Sequence, residues 1–145
     1  MKTLRHLSCT LLLALTVAPL PALAGDWAVV ANPKAGIGHL SQDDVTNIYL
    51  GRYRRLASGV TAEPLDQPAD SLLRANFYRH LVDKNLAEIN AYWARLIFSG
   101  KTQPPRVVAN SEEAMQLVAR RPGAVAYVER SKVDTRVTIV FEMTD

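Results

Sequence analysis

The stretch PPRVVANSEEAMQLVARRPGAVAYV, residues 104–128, decides the fold class. Pro104-Pro105 cannot continue a helix and biases the chain toward extended backbone, so Arg106-Val107-Val108-Ala109 reads as a short strand. Asn110 or Ser111 then caps a helix through Met115, Leu117 and Val118, with Arg120 and Arg121 well placed at its negative C-terminal end. Pro122-Gly123 stops that helix, and Ala124 to Val128 is the unbroken apolar run expected of a buried strand. Strand, helix and strand within one short span point to an α/β protein.

The same alternation continues outward. Toward the N-terminus, Leu86, Ile89, Trp93, Leu96 and Ile97 make one stripe of a helix over 86–98 that ends at Ser99-Gly100. Before it, Leu72, Leu73, Phe77, Leu81 and Val82 make one face of a helix for which Asp70 is the expected cap. Thr61 to Asp66 reads as a strand, and Pro64 assigns it to a sheet edge or a strand end, because proline has no N–H for a ladder. A short helix over 42–50 follows from Val45, Ile48 and Tyr49, opened by Ser41-Gln42-Asp43-Asp44 and closed by Gly51. Trp27 to Asn32 and Val137 to Phe141 are the outer strands. The expectation is a single three-layer-like α/β domain, a small mixed sheet flanked by helices.

Composition limits the function classes. The 145 residues hold 17 Lys+Arg against 14 Asp+Glu, a formal charge of +3, and are 48% hydrophobic and 21% charged. That is ordinary globular usage, which excludes collagen-like, disordered and disulfide-dense chains. Residues 1–24 carry Lys2 and Arg5, an apolar stretch from Leu11 to Ala18, and the ending Ala22-Leu23-Ala24. This is the pattern of a secretory signal peptide cleaved before Gly25, leaving a domain over 25–145. The apolar stretch is about half the roughly 20 residues of a spanning helix, so stable membrane insertion is not expected. The expected location is the periplasm.

Loss of Lys2 and Arg5 leaves 15 basic against 14 acidic residues, and loss of Cys9 leaves no cysteine. Thiol catalysis, cysteine-ligated metal and disulfides are thereby excluded. A charge of +1 also argues against nucleic acid, even with Arg52-Tyr53-Arg54-Arg55, which reads as a solvated arm or a protein contact.

No catalytic constellation stands out, and the chain is read as a non-enzyme without cofactor or metal. His39 and His80 lack metal-ligand spacing, and Ser41, His39 and Asp43 are neighbours in sequence with no nucleophile elbow. Gly36-Ile37-Gly38-His39-Leu40-Ser41 resembles a phosphate-cradling loop without the Gly-Lys-Ser/Thr ending of a nucleotide site. It leaves contact with a small anion open. Trp93, with Tyr92 and Phe98 nearby, is read as core packing rather than a ligand platform.

Three segments, in order, carry a family resemblance. Leu40-Ser41 with Asn47-Ile48-Tyr49-Leu50-Gly51-Arg52, Tyr92-Trp93 through Phe98-Ser99-Gly100-Lys101, and Pro122-Gly123-Ala124-Val125-Ala126-Tyr127-Val128 resemble segments of periplasmic phosphate-binding proteins, the solute receptors of phosphate ABC transporters. The resemblance implies one lobe of a type 2 periplasmic binding protein that binds phosphate or a similar oxyanion for an ABC transport system. If a small anion sits at the N-terminus of the helix after Pro68, Gln67 and Ser71 are the expected donors and Arg74, one turn into the helix, the charge partner, with Ser41 as a further candidate ligand.

Two departures are visible. The family's receptors have two lobes, and their glycine-rich, arginine-led phosphate loop is replaced here by Leu65-Asp66-Gln67-Pro68-Ala69-Asp70-Ser71-Leu72. Asp70 and Asp66 bring carboxylates to that helix start, and a second reading has Ser71 and Asp70 capping the helix while Arg74 pairs with Asp70 at i, i+4. The functional alternative is a non-catalytic interaction or scaffold module of the cell envelope that has lost its anion loop. Its exposed inner face would then be covered by an envelope protein or by self-association.

Overall fold

The computed structural model describes residues 26–143. Residues 1–24, read above as a signal peptide, lie outside them, with Cys9. The chain runs β1 (Trp27–Ala31), α1 (Gln42–Tyr49), β2 (Glu63–Asp66), α2 (Leu72–Val82), α3 (Leu86–Phe98), β3 (Arg106–Val107), α4 (Ser111–Arg120), β4 (Ala124–Glu129) and β5 (Thr138–Glu142). One mixed sheet has the order β3-β2-β4-β1-β5. β2 is parallel to β3 and β4, and β1 is antiparallel to β4 and β5.

Alternation along the strands feeds two apolar layers. Trp27, Val29, Val125 and Tyr127 pack with α1, α2 and α3 on one face, while Val30, Ala124, Ala126 and Val128 pack with α4 on the other. Because side chains alternate along a strand, a strand covered on both faces must be apolar throughout. Ala124 to Val128 meets that requirement and sits centrally. The first layer is aromatic: Phe77 stacks on Tyr127 at 3.7 Å, and Trp27 and Tyr49 meet Phe77 edge-on at 5.0 and 4.8 Å. Trp93 is buried in it, as expected of a core residue.

Pro64 does not lie on an outermost strand. β2 runs between β3 and β4, yet β3 pairs only with Leu65 and Asp66. Glu63 N–H donates to Gly123 O on the β4 side, so alternation turns the Pro64 nitrogen toward the side where β3 has not begun. The proline thus occupies a local edge within an inner strand. Gly123 holds the other side closed, since a Cβ there would lie 2.1 Å from Thr61 O.

Three further expectations are corrected. The cap of α2 is Ser71, whose Oγ accepts from Arg74 N–H at 3.3 Å, and Asp70 is exposed. Leu72, assigned to the apolar face of α2, is 82% exposed, whereas Arg74 two residues on is buried, so the first turn turns its charged side inward. At the last turn of α3, Ile97 and Phe98 are 55% and 96% exposed, so the buried stripe stops short of the helix end. No helix among the described residues is long and apolar enough to cross a membrane.

Candidate functional site

β2 and β4 are parallel, so Asp66 and Glu129 close their strands at the same end of the sheet. From that end α2 leaves along one face, and α4, which follows β3, leaves along the other. Helices diverging to opposite faces leave a crevice at the carboxyl ends of the strands, the usual ligand position in open α/β sheets. Here the protein's own side chains fill it.

The Asp66 carboxylate is buried and accepts four hydrogen bonds. Oδ1 takes Gln67 N–H at 2.9 Å and the Tyr127 hydroxyl; Oδ2 takes Arg74 Nε at 3.0 Å and the Tyr78 hydroxyl at 3.1 Å. A carboxylate offers about four lone-pair sites, so Asp66 is saturated. The guanidinium of Arg74 is held on several sides: beyond its ion pair with Asp66, Nη1 and Nη2 reach Asn90 Oδ1 at 3.5 and 3.4 Å, and its centre lies 5.3 Å from the Tyr78 ring. Arg74 is 6% exposed.

A second relay joins the strand ends to α4. Gln67 Nε2 donates to Tyr127 O at 3.1 Å and to Ser111 Oγ at 3.3 Å, and Ser111 Oγ donates to Glu129. Partial burial opposes ionisation of Glu129, but its bonds from Ser111 and Lys132 win and hold the carboxyl below its usual range. Burial, reinforced by the Asp66 charge, pushes the Tyr78 and Tyr127 hydroxyls well above the usual phenol range. They therefore stay protonated donors to Asp66.

Gln67, Ser71 and Arg74 converge at this end, and each is engaged by a protein partner. Ser41 does not join them. It caps α1, exchanging bonds with Asp44, while the adjacent Gln42 Nε2 donates to Leu81 O at the far end of α2. That end is roughly 15 Å along the helix from Ser71. The ion-pair partner of Arg74 is Asp66 and not Asp70, because the buried side of α2 faces the end of β2.

The sequence does not mark Tyr78, Asn90, Tyr127, Ser111 or Glu129 as site residues. Tyr78 carried a signal, being one turn beyond Arg74 on the same helix face; Tyr127 carried another, in register with buried Val125. Ser111 and Glu129 meet only through tertiary folding. No group of three His, Cys, Asp or Glu residues capable of holding a metal occurs among the described residues. His39 and His80 are exposed, and the Ser41 hydroxyl bonds Asp44 at 2.7 Å.

No protein-family model matches the chain, and no curated protein matches its sequence. Solved structures do match its fold. An ABC-type phosphate transport receptor from Vibrio cholerae aligns at TM-score 0.63 and 18% identity, covering 79% of this chain and 45% of the receptor. A protein described as a phosphate ABC transporter substrate-binding protein, solved with bound phosphate, from Clostridium perfringens aligns at 0.63 and 20% identity, covering 79% and 44%. PstS from Borrelia burgdorferi aligns at 0.54 and 11% identity, covering 79% and 46%. The chain spans less than half the length of these proteins, and its α/β fold is similar to that of a single lobe of phosphate transport receptors.

Proposed function

We propose that this chain is an exported, non-catalytic binding lobe that works as an interaction module of the cell envelope. The observation that carries this reading is the Asp66–Arg74 pair. Arg74, the expected charge partner of a bound anion, is buried against a saturated carboxylate of the same chain. An incoming oxyanion that took the place of Asp66 on Arg74 would leave a buried carboxylate without its partner, which costs about 3–5 kcal/mol. Export rests on the pattern of residues 1–24, and the periplasm is the destination that the fold of the receptors supports.

A second reading, binding of phosphate or a similar oxyanion for transport, is favoured by the fold of the Clostridium perfringens protein that holds phosphate. Calorimetric titration of residues 25–145 with inorganic phosphate separates the two. The interaction-module reading expects no saturable heat and no thermal shift at millimolar phosphate; saturable binding overturns it in favour of the oxyanion receptor. N-terminal sequencing of the exported protein is expected to begin at Gly25.

A further inference from the structure

The other end of β2 opens on a groove of about 580 Å³ between the connection that follows α1 and the turn after α3. Its apolar lining includes Ile48, Ala62, Pro64 and Ile97, with half-exposed Tyr53 at the side. Arg54 and Lys101 also line it, and Arg54 Nη2 donates to Lys101 O at 2.7 Å, tying the two walls together. No carboxylate lines this groove. Arg54 and Lys101 have no ion-pair partner among the described residues, where eight acids are paired elsewhere. Phe98, next to Ile97, is almost wholly exposed.

Unpaired like charges clustered around apolar surface oppose one another in the free protein and are relieved by a partner of opposite sign. We propose that this groove docks an acidic, amphipathic polypeptide segment. Its aliphatic or aromatic side chains enter between Tyr53 and Ile97, and its carboxylates meet Arg54 and Lys101. The concavity favours a polypeptide over a lipid surface, since single side chains can enter a recess that a bilayer spans. The proposal deepens the interaction-module reading and rests on it.

The test is selection of a random-peptide phage library on residues 25–145. Counter-titrations use anionic phosphatidylglycerol vesicles and neutral phosphatidylcholine vesicles. Enriched peptides are expected to combine Asp or Glu with Phe, Leu or Trp, and to weaken steeply with salt. Arg54→Glu with Lys101→Glu, and separately Ile97→Ser, are each expected to weaken them at least about tenfold while the circular dichroism spectrum stays unchanged. No enrichment, peptides that bind the variants equally well, or tight binding to anionic vesicles alone would overturn the groove assignment. None of these outcomes bears on phosphate, so saturable phosphate binding remains the separate result that removes the interaction-module reading.

Discussion

The two ends of β2 present opposite solutions to charge. At its carboxyl end Asp66, Arg74, Tyr78 and Tyr127 are buried and mutually satisfied. At its amino end Arg54 and Lys101 stand at an open groove without a carboxylate. Only about 10 Å of strand separates them. The difference shows where a partner can still gain free energy: a buried carboxylate that already accepts four bonds and holds the neighbouring cation offers little, whereas exposed unpaired cations beside apolar surface offer both charge and area.

The largest effect that would break this contrast is at the closed end. Asp66→Ala leaves Arg74 buried without its counter-charge and is expected to destabilise the fold by about 3–5 kcal/mol, read from urea unfolding. A small loss would mean that the network opens readily and that the anion site is accessible. Gly123→Ala comes next. Its Cβ would lie 2.1 Å from Thr61 O, a backbone atom, so a loss of about 1–3 kcal/mol and disturbance of the neighbouring groove are expected.

Tyr78→Phe removes one of the four donors to Asp66 and is expected to cost about 1–2 kcal/mol in the same unfolding experiment. The tyrosines also set an alkaline limit. Their folded pKa values are raised above the ordinary phenol value, so their contribution is intact below about pH 10 and is lost as pH rises beyond it. Thermal midpoints should therefore fall above about pH 10, with phenolate absorbance of Tyr78 and Tyr127 appearing only on unfolding. Smallest is Arg54→Glu with Lys101→Glu, which removes no ion pair and only the exposed bond from Arg54 to Lys101 O, and should lower the thermal midpoint only slightly. A clear loss would show that these cations serve the fold instead of a partner.

Much of the architecture was legible because its signals are local. Ser41 capping α1, Asn110 capping α4, Pro122-Gly123 ending that helix and the apolar run of β4 each depend on neighbours a few residues away. The candidate site was legible in part: Gln67, Ser71 and Arg74 do share one end of the sheet, but the choice of Asp66 over Asp70 as partner was not. Helical spacing makes Asp70 plausible, yet Asp70 is exposed, where such a pair gains little, while Asp66 lies in the buried interface where an unpaired Arg74 would be costly.

The sequence by itself determined the α/β class, most of the helix stripes, the cap of α1 and the absence of cysteine after residue 24, because composition, periodicity and capping act within a few residues along the chain. Only the tertiary structure decided that Pro64 could sit inside the sheet, that Ser111 would meet Glu129 and Tyr127 would meet Asp66, and that Ile97 would be left in the open. Those outcomes depend on which strands become neighbours and where β3 begins. They are long-range pairings, and no local propensity encodes them.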